Sequence, residues 1–121
     1  MKADFTAWVV ELFASYPPGT VDCSDDDEGC IIFLAGSIDM DFSRKLQFLL
    51  EAAIAKMLTG KRLLVDMNGV NYISSTGVGA IVNAMTMAHS RAVRFSLRRL
   101  QPKVRAVFEI LGLISFFVEE T

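Results

Sequence analysis

The sequence predicts an α/β fold: a mixed, mostly parallel sheet of four to five strands with helices packed on it, plus one extra helix at the N-terminus. Three observations carry this. Apolar runs rich in β-branched and aromatic residues (CIIFLA, RLLVDM, VRFSL) alternate with longer stretches whose apolar residues recur at helical spacing. Strands separated by helices of that length pair in parallel through crossovers. An apolar fraction of 52% over 121 residues suits strands buried under helices and is enough for one core.

The elements follow in order. ADFTAWVVELFASY places Phe5, Val9, Leu12 and Phe13 near helical spacing and stops at Pro17-Pro18-Gly19, so residues 1–19 are read as a helical extension and 20–121 as the domain. Val21–Ser24 and Gly29–Ala35 are read as two strands around the acidic turn SDDDEG. From Asp41, the expected N-cap, the period becomes helical: Phe42, Leu46, Leu49, Leu50, Ala53 and Met57 share a face, with Gly60 as the stop. RLLVDM is a buried central strand. Thr76–His89 is a second helix, with Val78, Ile81, Val82 and Met85 on one face, and VRFSL is the next strand. Pro102 opens a third helix carrying Val104, Val107, Phe108 and Leu111, which Gly112 ends, and ISFFVEE closes the chain as a strand.

Composition excludes several functions. A net charge of -2 gives no basic field to neutralise a nucleic-acid backbone. The longest apolar run, FLLEAAIAKML, is interrupted by Glu51 and Lys56 and is too short to insert in a bilayer, which takes about 20 residues. The N-terminus, with Asp4 and Glu11 in its apolar stretch, does not read as a secretory signal, so a cytoplasmic location is expected. Cys23 and Cys30 flank the acidic turn and are read as small buried side chains rather than a disulfide. With His89 the only histidine, the chain lacks the four nitrogen or sulfur ligands of a closed zinc site, and no metal or other cofactor is expected. DDDEG lacks the alternate acidic spacing of a calcium loop and reads as a solvated turn. The basic residues Arg91, Arg94, Arg98, Arg99, Lys103 and Arg105 read as exposed positions on a strand and a helix start, where an acidic partner surface can also dock.

One stretch exceeds structural need. In ISSTGVG, Ser74, Ser75 and Thr76 fall where a strand ends and a helix begins, and one hydroxyl suffices to cap that helix. A phosphate on a serine there would meet unpaired backbone N–H groups and the positive end of the helix dipole. An enzyme would need a base beside the serine. His89 lies 14 residues further along the expected helix, roughly 21 Å away at 1.5 Å per residue, which rules out a serine–histidine hydrolase. LTGKR is not a phosphate-binding P-loop either, because Ala55 stands where that motif requires glycine.

VDMNGVNYISSTGVGAIV resembles the signature of the STAS domain of bacterial anti-sigma-factor antagonists: an apolar strand, a turn, then Asp-Ser-Ser-Gly or Asp-Ser-Thr-Gly. GSID places Gly36 and Asp39 at the positions of that family's Gly-Glu-Leu-Asp-like turn, and LQPKVRAVFEILGL matches its third helix. The resemblance runs from about Val21 to Val118. It implies a non-enzymatic binding module whose serine is phosphorylated by an anti-sigma factor acting as a serine kinase and dephosphorylated by a metal-dependent phosphatase. The unmodified form binds the kinase and releases a sigma factor. Carried over, the phosphoacceptor is Ser75, with Ser74 and Thr76 as lesser candidates, and the partner surface comprises Asp39, Ser74, Ser75, Thr76, Gly77, Val78 and Asn83. Ser74 departs from the family's aspartate, which keeps open a second reading: a STAS subunit without a phosphorylation cycle that scaffolds a signalling or lipid-transport assembly. The N-terminal helix, with Trp8, is expected either to pack on the sheet or to form a homodimer contact.

Overall fold

The computed structural model describes residues 21–26 and 29–120. The expected N-terminal helix and the tip of the acidic turn lie outside the described residues. The elements are β1 (Val21–Asp26), β2 (Gly29–Ile38), α1 (Met40–Lys56), β3 (Arg62–Ile73), α2 (Ser75–Ser90), β4 (Arg94–Arg98), α3 (Pro102–Ile110), a 3-10 turn (Ile114–Phe116) and β5 (Val118–Glu120). The strands lie in the order β1-β2-β3-β4-β5. β1 runs antiparallel to β2, and β2 to β5 are mutually parallel.

Each helix carries the chain one strand further in the same direction. Since parallel crossovers are right-handed, that succession sets all three helices on one face of the sheet. The core agrees. Register pairs Cys30 with Leu63, Ile32 with Val65, Leu63 with Phe95 and Val65 with Leu97, so these side chains share a face. They are buried in one cluster with Leu46, Leu50 and Ile54 of α1, Val78 and Ile81 of α2, and Val104 and Phe108 of α3. Phe117 closes the far end, edge-on to Phe108 with ring centroids 5.4 Å apart.

The opposite face carries the alternate residues and is partly ionic. Asp66 in β3 is buried, and its Oδ2 accepts Nε of Arg98 at 2.8 Å and Nε of Arg99 at 3.0 Å, while Oδ1 accepts the Asn68 N–H at 2.9 Å. Burial alone would raise the pKa of this carboxyl. The Asn68 N–H and the two guanidinium groups outweigh that and hold it below the ordinary carboxylate value. Arg98 also lies over the Phe33 ring, 5.8 Å from its centroid. Glu120 accepts from Ser96 Oγ at 2.5 Å and from Arg62 at 3.2 Å. Much of the expected basic surface is therefore engaged: Arg98 and Arg99 on Asp66, and Arg105 on Glu119.

Several boundaries depart from expectation: β1 and β2 run on to Asp26 and Ile38, and β3, read as RLLVDM, continues to Ile73 through the stretch expected to turn. The cap of α1 is Asp39 rather than Asp41: its backbone is extended, and its Oδ1 accepts the Phe42 N–H at 2.8 Å. Apolar periodicity marks only where a helix becomes buried, one turn inside its true start. α1 ends at Lys56, ahead of Gly60, because Met57 already turns into extended backbone. The closing strand is split into the 3-10 turn and the short β5, since the chain leaving Gly112 must turn before Phe117 can reach Phe95 and Phe108. Across the β1–β2 hairpin, Cys23 pairs with Ile32 and Cys30 with Asp25, so the two cysteines do not stand opposite one another.

Candidate functional site

The hydroxyl cluster lies where two parallel strands end together. Ile38 and Ile73 are register partners at the last positions of β2 and β3, and each is followed within two residues by a helix. The Ser74 N–H donates to the Ile38 carbonyl at 2.9 Å, which ties the start of α2 to the turn that begins α1. Gly36, with φ of +86°, lies inside β2 where its register against β3 shifts, a left-handed conformation that favours glycine.

Ser74 is the N-cap of α2. Its backbone is extended and its Oγ accepts the Gly77 N–H at 3.0 Å. The same oxygen lies 2.8 Å from Thr76 Oγ1 and 3.4 Å from Oγ of Ser43, a buried residue of α1. Ser43 in turn donates to the Asp39 carbonyl at 2.5 Å. A line of hydroxyls thus runs from the cap of α2 to the cap of α1. Ser75, the first residue of α2, is exposed, and no hydrogen bond engages its hydroxyl among the described residues. The first turn of α2 contains no acidic side chain.

The structure brings Asp39, Ser74, Ser75 and Thr76 to this one end of the molecule. It corrects the placement of Val78, which is fully buried in the core. Val78 belongs to the stripe continued by Ile81, Ala84 and Ala88, so it faces the sheet and presents nothing to a partner. Gly77 is buried as well. A Cβ there would come within 2.8 Å of Ile73 Cγ1 and 2.9 Å of Ile38 Cγ2, so the glycine lets α2 sit directly on the strand ends. Asn83 is exposed two turns further along α2, where its Nδ2 donates to Gln47 Oε1 of α1 at 3.1 Å.

Two side chains near the hydroxyls escaped the sequence reading. Met40, the first residue of α1, is 65% exposed, and Tyr72 near the end of β3 is 52% exposed. Met40 carried a signal in the sequence; Tyr72 carried little, because β3 does not alternate at that end. Met40 stands outside the apolar stripe that starts at Phe42, and Tyr72 follows the polar Asn71, both exposed between the buried Val70 and Ile73. Solvent-exposed apolar groups beside an unengaged hydroxyl suit contact with another protein.

Chemically, the site offers an acceptor hydroxyl without a base. α2 is one continuous helix, so Ser75 and His89 lie near its opposite ends, roughly 21 Å apart at 1.5 Å per residue. No group of three or more His, Cys, Asp or Glu side chains suited to a metal ion occurs among the described residues. No helix among them is long and apolar enough to cross a membrane.

Comparison with known proteins bears on the family and the fold. The family model described as "Mlab, STAS domain" matches residues 19–118. The anti-sigma-B factor antagonist of Listeria monocytogenes is 33% identical over 88 residues, covering 73% of this chain and 75% of that protein. The unphosphorylated form of the anti-sigma factor antagonist SpoIIAA superposes with a TM-score of 0.69 at 21% identity, over 84% of this chain and 88% of that one. An anti-sigma factor antagonist from Mycobacterium paratuberculosis superposes with a TM-score of 0.72 at 21% identity, over 83% of each chain. At such identities the two structures bear on the fold.

Proposed function

The chain belongs to the STAS domain family and is a distant relative of anti-sigma-B factor antagonists; from that premise we propose that it is a cytoplasmic partner-switching module controlled by phosphorylation of Ser75. In this reading the unmodified surface around Asp39, Met40, Tyr72, Ser75 and Thr76 binds an anti-sigma factor with serine kinase activity, and a sigma factor is released. Phosphorylation by that kinase ends the complex, and a metal-dependent phosphatase restores it.

One observation carries the proposal: of the three consecutive hydroxyls, those of Ser74 and Thr76 are held by neighbours, and that of Ser75 is exposed and unengaged among the described residues. A phosphate on Ser75 adds about -1.5 to -2 charges. At the first residue of α2 it meets the positive end of the helix dipole, so the fold tolerates it. Buried without a partner in an interface, the same dianion costs several kcal/mol, enough to dissociate a complex. Ser74 in place of the family's aspartate fits this scheme. Serine and aspartate cap about equally well, so the exchange keeps the helix start and removes only a charge beside the acceptor.

The test is phosphopeptide mapping of the protein isolated from its own cells, growing and stressed, combined with capture of the anti-sigma partner by variants. Phosphate on Ser75 that varies with condition is expected, with capture lost in Ser75→Asp and kept in Ser75→Ala. A well-covered peptide without phosphate in either condition, and capture by both variants, would replace this reading with that of a constitutive scaffold subunit.

A further inference from the structure

We infer that the outer stripe of α1 is a contact between two copies of this chain, which pair there with their helices antiparallel across a two-fold axis at Phe48. The inference stands on α1 alone and is independent of the phosphorylation scheme. The inner side of the helix is spent on the core through Leu46, Leu49, Leu50, Ala53 and Ile54. An outer side left to water would be polar, yet Met40 is 65% exposed and Phe48 is 66% exposed. Ala55 is exposed along the same stripe, and Ala52 is half-buried. A phenylalanine held out in solvent forgoes hydrophobic stabilisation that a covering surface recovers.

The charges on the stripe say what covers it. At 100° per residue, Arg44, Glu51 and Ala55 fall within about 60° of Phe48 on one side, and Asp41, Lys45 and Ala52 within about 60° on the other. A two-fold axis that sets two helices antiparallel lays each side of the stripe against the same side of the second copy. With the axis at Phe48, Arg44 comes opposite Glu51 of the second copy, and Glu51 opposite its Arg44. Met40 then covers its Ala55, Lys45 faces its Ala52, and Asp41 comes opposite its Lys56. Every charge meets an opposite charge or an alanine, a complementarity that a surface acquires only toward its own copy in this one register. A parallel pair would set Arg44 against Lys45, like charge against like. The central pair is ready to form: no hydrogen bond or ion pair engages Arg44 among the described residues, and Gln47 Nε2 holds Glu51 through Oε2 at 3.1 Å. The 17 residues of α1 make a strip about 25 Å long and about 10 Å wide, a footprint of about 250 Å² per copy against the roughly 800 Å² of a stable interface. The pair is therefore weak and forms at high protein concentration. Met40 is common to this stripe and to the surface around Ser75, so the two contacts exclude each other.

Sedimentation equilibrium of the full chain from about 20 µM to about 1 mM tests the pairing. Expected is a weight-average mass that climbs from 13.4 kDa toward twice that value. Phe48→Glu should raise the dissociation constant by at least about tenfold while the circular dichroism stays native. Arg44→Glu and Glu51→Arg should each weaken the pair several-fold, and the double variant, which exchanges the two charges, should return it to near the original strength. The charge exchange decides the matter should Phe48→Glu not fold. A mass that stays at that of one copy throughout overturns the proposal. So does a dimer that Phe48→Glu leaves intact, which places the contact on another surface. A double variant that pairs no better than either single one refutes the antiparallel register and overturns it as well.

Discussion

Replacing Asp66 with asparagine keeps the size of the side chain and an oxygen for the Asn68 N–H, and removes the charge that holds Arg98 and Arg99. Removing one partner of a buried ion pair costs about 3–5 kcal/mol. Here the carboxylate is 2% exposed, while the arginine side chains are 23% and 51% exposed and regain water when released. The expected loss is therefore smaller, about 2–3 kcal/mol, or about 8–12 °C in Tm for a chain of this size. Urea unfolding at neutral pH measures it, with an unchanged slope expected if the native fold persists. The dependence on pH isolates the charge. The pKa of Asp66 is lower folded than unfolded, so its contribution is fully present above the unfolded value near 3.9 and is lost as pH falls through the folded value. The gap between wild type and Asp66→Asn should thus close in acid. A neutral-pH loss under about 1 kcal/mol, or a gap that stays constant through that acid range, would refute the ionic account.

Further substitutions separate the roles of neighbouring residues. Ser74→Ala removes the cap of α2 and should cost about 1 kcal/mol in denaturant unfolding, whereas Ser75→Ala should stay within about 0.5 kcal/mol of wild type. Gly77→Ala gains helix propensity but drives a methyl group to 2.8 Å from Ile73 and 2.9 Å from Ile38, so a net loss of about 1–2 kcal/mol is expected by the same assay. Phe108→Ala empties the junction of α3, β4 and β5 and should cost about 3–5 kcal/mol, with near-ultraviolet circular dichroism reporting the loss of its packing against Phe117.

The sequence made the alternation of strands and helices legible because each buried stripe has its own period. Cys30, Ile32 and Leu34 alternate, and Leu46, Leu49, Leu50 and Ala53 follow a helix, so type and order could be read. Periodicity is silent about helix ends, which depend on one hydrogen bond; hence Asp41 was expected where Asp39 caps. The hydroxyl cluster stood out because three hydroxyls exceed what a cap requires. Which of them is engaged was not legible, because Ser43, at the center of the line, comes from another helix and sits 31 positions before Ser74. Val78 was put on the partner surface by the family resemblance alone; helical spacing already set it on the apolar stripe with Ile81, and the structure buries it there. Asp66 gave the weakest signal of all. A lone acidic residue in an apolar strand finds its two arginines only after β4 has paired beside it.

The bond from the Ser74 N–H to the Ile38 carbonyl, with the Ser43 hydroxyl beside it, clamps both helix starts to the same pair of strands. A group added at Ser75 therefore pushes against an anvil rather than a lever. In the proposed cycle its message is read where it is written, by a partner that touches Ser75 and its neighbours. Kinase and phosphatase must then occupy the same few residues by turns, and the state of the switch is set by which visitor arrives more often.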